Sequence, residues 1–417
     1  MNEHAAFVPA AGWVLPFAAM LLAIAILPLF APGLWASNLR KLAVGAVLGL
    51  PVLVLYARHD PAALWHTAGD YLSFMALLAS LFVISGGVLV TGDIEASPAV
   101  NTAFLAVGAV LASLVGTTGA SVLLIRPLLA TNQERRHVAH TVVFFIFVVA
   151  NIGGCLTPLG DPPLFLGYLL GVPFTWTLRL APHWLLANGM ILTVYYFWDR
   201  RAHAREDTAA IALDAAAVRP IRVTGKRNVV FLLAVVASVA FLHAPYRELA
   251  MVAVSALSLA ATPRAIRDEN RFTFHAIAEV AALFAGIFLT MVPALDILHA
   301  RGRELGLTQP WHFFWSAGLL SSFLDNAPTY LTFLAIAQSL GLPAEVAGVS
   351  HRVLAAISAG AVFMGANTYI GNGPNFMVRS IAEERGIKMP SFLGYMAYSG
   401  AVLIPVFIVI TLVFFRN

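Results

Sequence analysis

Two aspartates stand where apolar sequence is interrupted, and oxygen-bearing side chains surround both. Asp161 lies in Ala150-Asn-Ile-Gly-Gly-Cys-Leu-Thr-Pro-Leu-Gly-Asp-Pro-Pro163, and Asp325 opens Asp325-Asn-Ala-Pro-Thr329. Asn326 and Thr329 adjoin Asp325. A later interruption, Asn367-Thr-Tyr-Ile-Gly-Asn-Gly-Pro-Asn375, faces it with Asn367, Thr368, Asn372 and Asn375, and with carbonyls freed by Gly371, Gly373 and Pro374. By the same logic Thr117, Thr118 and Ser121 face Asn151, Thr157 and Asp161. Carboxylate, amide, hydroxyl and carbonyl oxygens suit a hard cation such as Na⁺, and unwound helix ends supply carbonyls without further charge. The expected site is Na⁺ at Asp325, at Asp161 or at both, with hydroxyl, amide and backbone oxygens completing it. The hydroxyls and amides have a plainer use as caps on broken helices, whereas an intramembrane carboxylate is costly to keep without a role. Asp325 ranks above Asp161, because Asn326 and Thr329 put oxygens beside it while prolines hem in Asp161.

What these stretches interrupt is membrane-spanning sequence. Hydrophobic residues make up 60% of the 417 and charged residues 11%, with mean hydropathy +0.83. A soluble domain carries about 25% charged residues, so the chain reads as polytopic and the lipid bilayer is its first partner. Lipid satisfies no backbone polar group, so a broken helix at that depth implies a protein-lined or watery cavity. The single cysteine, Cys155, excludes an intramolecular disulfide and a multi-cysteine metal site. Glu3 and His4, in place of a basic leader, favour an uncleaved first span.

The order of elements repeats. Residues 1–198 form a first membrane repeat, with a hairpin at 101–131 and an interrupted helix at 138–170. Residues 199–227 are a polar cytoplasmic linker, and residues 228–417 form a second repeat, with a hairpin at 310–340 and an interrupted helix at 350–382. Ser113-Leu-Val-Gly-Thr-Thr-Gly-Ala-Ser121 aligns with Ser322-Phe-Leu-Asp-Asn-Ala-Pro-Thr-Tyr330, and Ala150-Asn151…Gly160-Asp-Pro-Pro163 with Ala366-Asn367…Gly371-Asn-Gly-Pro-Asn375. Each hairpin arm, at about 12 to 15 residues, falls short of the ~20 that span a bilayer and reads as re-entrant. The fold class is therefore an all-α polytopic membrane protein of two repeats, each with about five transmembrane helices, one re-entrant hairpin and one interrupted helix. An odd number of crossings inverts the second repeat. With both termini outside, most of the 25 Lys and Arg residues fall in cytoplasmic connections, as the positive-inside rule asks. The net charge of +4 is thus loop asymmetry and does not imply nucleic acid.

Asn151-Ile-Gly-Gly-Cys-Leu-Thr-Pro-Leu-Gly-Asp-Pro-Pro163, Leu324-Asp-Asn-Ala-Pro-Thr329 and Asn367-Thr-Tyr-Ile-Gly-Asn-Gly-Pro-Asn-Phe-Met377 resemble the signatures of NhaD-type sodium/proton antiporters. That group belongs to the ion transporter superfamily, beside citrate carriers, dicarboxylate/sodium symporters and arsenite efflux pumps. The resemblance implies an inverted-repeat fold in a bacterial inner membrane, a homodimer and an elevator-like movement of the hairpin-bearing part. Gly116-Thr-Thr-Gly-Ala-Ser121 and Asp325-Asn-Ala-Pro-Thr329 depart from the Ser-Asn-Thr tips of the dicarboxylate branch, which favours a cation over a dicarboxylate.

The function expected is a secondary active transporter, Na⁺(Li⁺)/H⁺ exchange first and a carboxylate (citrate-like) or arsenite substrate as the alternative. It needs no cofactor beyond the transported Na⁺ and H⁺. A distant alternative is an intramembrane aspartyl hydrolase, since paired aspartates can activate water. Asp161 lacks the Gly-x-Gly-Asp context of that class, and no hydrolase or ATP-binding motif occurs, so no enzyme is expected. Of the remaining polar groups, His137 and His140 read as interfacial, Glu279 as snorkelling, Asp296 and His299 as spaced to pair on one helix face, and Arg126 and Arg379 as reaching the cytoplasmic interface.

Overall fold

The computed structural model describes residues 7–35, 37–341 and 344–416, so Glu3 and His4 lie outside the described residues. The chain begins with α1 (Leu15–Phe30), the short α2 (Pro32–Trp35), α3 (Asn38–His59) and α4 (Pro61–Ser85). A hairpin follows, α5 (Pro98–Val115) and α6 (Thr117–Thr131), then a broken span of α7 (Ala139–Val148) and α8 (Pro162–Leu169), then α9 (Ala181–His203). After α10 (Thr208–Ala217) the order recurs as α11 (Arg227–Phe241), α12 (Tyr246–Ala261), the short α13 (Arg264–Glu269) and α14 (His275–Arg301). The second hairpin is α15 (Pro310–Ser321) and α16 (Asn326–Ser339), the second broken span α17 (His351–Met364) and α18 (Gly373–Glu384), and α19 (Phe392–Ile410) comes last. Seven segments among the described residues are long and apolar enough to cross a membrane, and the protein is an all-α polytopic membrane protein. Helix starts follow local rules. Asp60, Ser97 and Ser350 accept from the amides of Ala63, Val100 and Val353, and prolines follow Asp60 and Ser97 at the first helical position, where no amide is missed.

One layer of helices frames the interrupted elements. Within it α14 packs on α1, α3 and α4, and α4 also packs on α11 and α12. The α3–α14 seam is close because Gly45 meets Gly286, where an added Cβ would lie 3.0 Å from the Gly286 Cα. The small-residue spacing Gly45-Ala-Val-Leu-Gly49 thus serves close packing within the chain. Polar pairs fix both ends of the seam. Lys41 Nζ lies 2.6 Å from Glu279 Oε1, and the Tyr56 hydroxyl donates to Asp296 Oδ2 at 2.6 Å. Glu279 therefore does not simply snorkel. Nor does Asp296 pair with His299, whose ring meets Gln338 instead.

Three features differ from the sequence reading. Residues 89–93 form a strand paired antiparallel with Arg219–Thr224 of the linker, in a fold expected to be all-α, because Gly86 and Gly87 end α4. α5 has 18 residues, more than its expected arm, since Ser97 and Pro98 start the helix early; α15 has 12. Asp199, assigned to the linker 199–227, continues α9 and is fully buried. There Arg135 Nη2 reaches it at 2.5 Å and His140 Nε2 at 2.8 Å. His140 is accordingly part of a buried ion cluster, which satisfies the rule that a buried charge is paired. Beside it Glu206, although burial pulls the other way, is held below the ordinary glutamate range by the amides of Arg136 and His137 and by the His137 ring.

The expected inversion of the second repeat has a direct check in exposed residues that precede the hairpins. In a Cys155→Ala background, Glu95→Cys is expected to react with an impermeant maleimide from the cytoplasmic side and Thr308→Cys from the outer side. Reaction of both from one side contradicts inversion.

Candidate functional site

Both spans break in the same way. Gly154 and Gly160 approach so closely that a Cβ on Gly160 would collide with the Gly154 carbonyl, and Gly371 stands in the same relation to the Gly365 carbonyl. In the first break the Thr157 hydroxyl donates to the Ser113 carbonyl and accepts from Leu159 N at 3.2 Å. In the second the Thr368 hydroxyl donates to the Ser322 carbonyl at 2.5 Å and accepts from Ile370 N at 3.2 Å. Ser113 and Ser322 also donate to the carbonyls of Gly153 and Met364. These contacts set the internal register: Gly154, Thr157, Gly160 and Asp161 correspond to Gly365, Thr368, Gly371 and Asn372. The expected match of Asn151 with Asn367 is out of register, because Asn367 occupies the position of Leu156. Pro162 and Pro163 sit at the start of α8, where their missing amides cost nothing, so glycine contacts and threonine caps keep the break open.

Asp161 lies where the interrupted elements meet, and its side chain is 1% exposed. Thr117 Oγ1 donates to its Oδ1 at 2.8 Å, Asn372 Nδ2 to the same oxygen at 3.3 Å, and Asn326 Nδ2 to its Oδ2 at 2.5 Å. Thr117 and Asn326 are the first residues of α6 and α16, one at each hairpin tip. Asp161 and Asn372 immediately precede α8 and α18, so the N-termini of four half-helices converge on one carboxylate. Their dipoles offset its charge, and no basic side chain bonds it among the described residues. The network extends further: Asn372 also donates to the Ala150 carbonyl at 3.0 Å, and Asn151 donates to Asn375 Oδ1 at 2.7 Å. Asn375 in turn donates to the Gly365 and Thr368 carbonyls, both at 2.9 Å. Among the described residues, two buried amide oxygens of this network have no hydrogen-bond partner, Asn151 Oδ1 and Asn326 Oδ1.

Of the residues expected at the site, Asp161, Thr117, Asn326, Asn372, Asn151 and Asn375 come together. The others do not. Asp325 accepts from the amide of Ala327 at 3.1 Å and so caps its own helix, and the Thr329 hydroxyl donates to the Asp325 carbonyl. Thr157 and Thr368 hold the breaks open, and Asn367 donates to Ser322 Oγ at 2.9 Å. Thr118 borders a cavity of about 70 Å³ between the first hairpin tip and α4 and α14, which Thr117, Gly160 and Pro162 also line beside Asp161. Arg126 donates to the Asn270 carbonyl and Arg379 pairs with Glu383, so neither reaches the centre. Ser113 and Ser322 were passed over as site residues. Their matching positions in the aligned tips were the available signal for a shared strut role.

Two hairpins and two broken spans that present buried polar groups to one point make the architecture that of a secondary transporter. The chain belongs to the family described as "Putative citrate transport", whose model matches residues 7–415. Comparison with curated proteins gives no match. The family supports the broader resemblance, to citrate-carrier-like ion transporters, and does not extend to the NhaD-type group.

The glycine contact generates a prediction. Gly160→Ala is expected to destabilise the protein by about 1–3 kcal/mol and to lower its thermal unfolding midpoint, because a methyl group must displace backbone. Gly373→Ala, where a Cβ meets nothing within 4 Å, should leave the midpoint unchanged.

Proposed function

We propose that the protein is a cation-coupled secondary transporter in which Asp161 takes up Na⁺ (or Li⁺) or a proton in turn, giving Na⁺/H⁺ exchange. The observation that supports this reading is a buried carboxylate bonded, among the described residues, by three neutral donors and no basic group, in a network whose Asn151 and Asn326 amide oxygens lack partners. Oxygens without donors suit a hard cation, and one negative charge suits one monovalent ion. Cation or proton neutralises Asp161 for crossing. An empty, anionic site crosses poorly, so the two species exchange without a separate gate.

A second reading has its own support. Converging half-helix N-termini favour anions, and the family description names citrate, so a carboxylate substrate moved together with the cation bound at Asp161 fits the same centre. An arsenite substrate has no comparable observation behind it. Under either reading the two halves act as inverted repeats, the hairpin-bearing part moves as an elevator within a homodimer, and the protein resides in a bacterial inner membrane with both termini outside.

Proteoliposomes under an imposed pH gradient distinguish these readings. Na⁺ or Li⁺, but not K⁺, is expected to drive proton movement without citrate; movement only when citrate is present would favour the second reading. Asp161→Asn should reduce coupled flux to background with normal expression. Asp325→Asn should retain flux, since asparagine caps a helix about as well as aspartate. Full flux in Asp161→Asn would overturn both readings.

A further inference from the structure

Away from the centre, a cavity of about 1060 Å³ opens between the start of α7, the end of α9 and Tyr398 of α19. Its charged wall carries Arg136, Arg200, Arg201 and Arg205, all exposed, and none of the four guanidinium groups has an ion-pair partner among the described residues. The carboxylates nearest in the fold are engaged elsewhere. Asp199 is taken by Arg135 and His140, and Glu206 by the Arg136 and His137 amides. The cavity is therefore electropositive.

The other wall is apolar and follows one face of α9. Val194 and Phe197 are 39% and 56% exposed, one turn further along the same face comes Arg201, and Arg205 follows just past the end of the helix. Trp198 stacks on Tyr398 at 5.3 Å beside this stripe. A helix face that passes from exposed apolar side chains through aromatics to unpaired arginines matches the passage from hydrocarbon to headgroup. A soluble anion would need the arginines alone and gains nothing from Val194 and Phe197. The geometry points to a binding site for one anionic phospholipid, its phosphate held by Arg136, Arg200, Arg201 and Arg205 and its acyl chains laid along Val194 and Phe197. The occupied cavity would abut His140 and the Arg135–Asp199 pair, and so brace the segment that joins the first hairpin to the first broken span.

The test uses the full-length protein purified in neutral detergent and titrated with dioleoyl-phosphatidylglycerol, dioleoyl-phosphatidylcholine or sodium phosphate. Bound lipid is read by native mass spectrometry and stability by the thermal unfolding midpoint. Phosphatidylglycerol is expected to remain bound and to raise the midpoint saturably, while the other two do neither. Each arginine removed from the cavity should weaken apparent affinity about fivefold, in the single Arg205→Gln and more so in Arg136→Gln/Arg201→Gln/Arg205→Gln. Arg222→Gln, on an exposed strand outside the cavity, should bind as wild type. Arg205→Gln lies beyond the last turn of α9, so it remains informative if the triple variant does not fold. Unchanged affinity in Arg205→Gln, equal retention of phosphatidylcholine, or an equal midpoint shift from sodium phosphate would each overturn the proposal.

Discussion

The rest of the structure depends on keeping one carboxylate charge away from water without a cationic partner. Asp161 is fully enclosed, and among the described residues its oxygens receive a hydroxyl and two amides and no basic group. Isolated, such a charge would be prohibitively expensive to bury. Four half-helix N-termini meet around it, and that convergence requires two hairpins that turn at Gly116 and Asp325 and two spans that break beside Asp161 and Asn372. The glycine contacts and threonine caps exist to keep those breaks open. The framing helices, fastened by Gly45 against Gly286, hold the hairpins in reach of each other.

The two halves are related but not equal at the centre. Thr117 and Asn326 are counterparts, and both donate to the same carboxylate. Asp161 and Asn372 are counterparts too, and one donates to the other at 3.3 Å. A second aspartate at position 372 would set two carboxylates side by side, and like charges at that distance cannot both ionise in a dry site. An amide there supplies a donor in place of a repulsion. The repeat therefore sets a carboxylate and an amide at equivalent positions of two similar frames.

Much of this was legible in the sequence. Interrupted apolar runs located both hairpins and both broken spans, because proline and glycine at membrane depth have few other uses. The residues Thr117, Asn151, Asp161, Asn326, Asn372 and Asn375 were all recognised as oxygen-bearing groups at those tips. Sequence did not show which aspartate the tips share. Asp325 has more polar neighbours in the chain, but those neighbours serve its own helix end, and only the folded breaks bring Thr117, Asn326 and Asn372 to Asp161. The internal register was misjudged for a related reason: local identity paired Asn151 with Asn367, whereas the hydrogen bonds of Thr157 and Thr368 pair the breaks by their glycines. Asp199 looked like linker because charge follows it directly; its burial depends on Arg135 and His140, which are distant in sequence.

The most direct measurement of the central claim is the pH dependence of the apparent Na⁺ dissociation constant in purified protein, compared among wild type, Asp161→Asn and Asp325→Asn. If Na⁺ and a proton compete for Asp161, the constant should rise about tenfold per pH unit on the acid side of its titration and level off on the alkaline side. Asp325→Asn should follow the same curve, while Asp161→Asn should show no saturable Na⁺ binding. Wild-type Na⁺ binding that persists unchanged in Asp161→Asn, or an affinity independent of pH, would contradict the account.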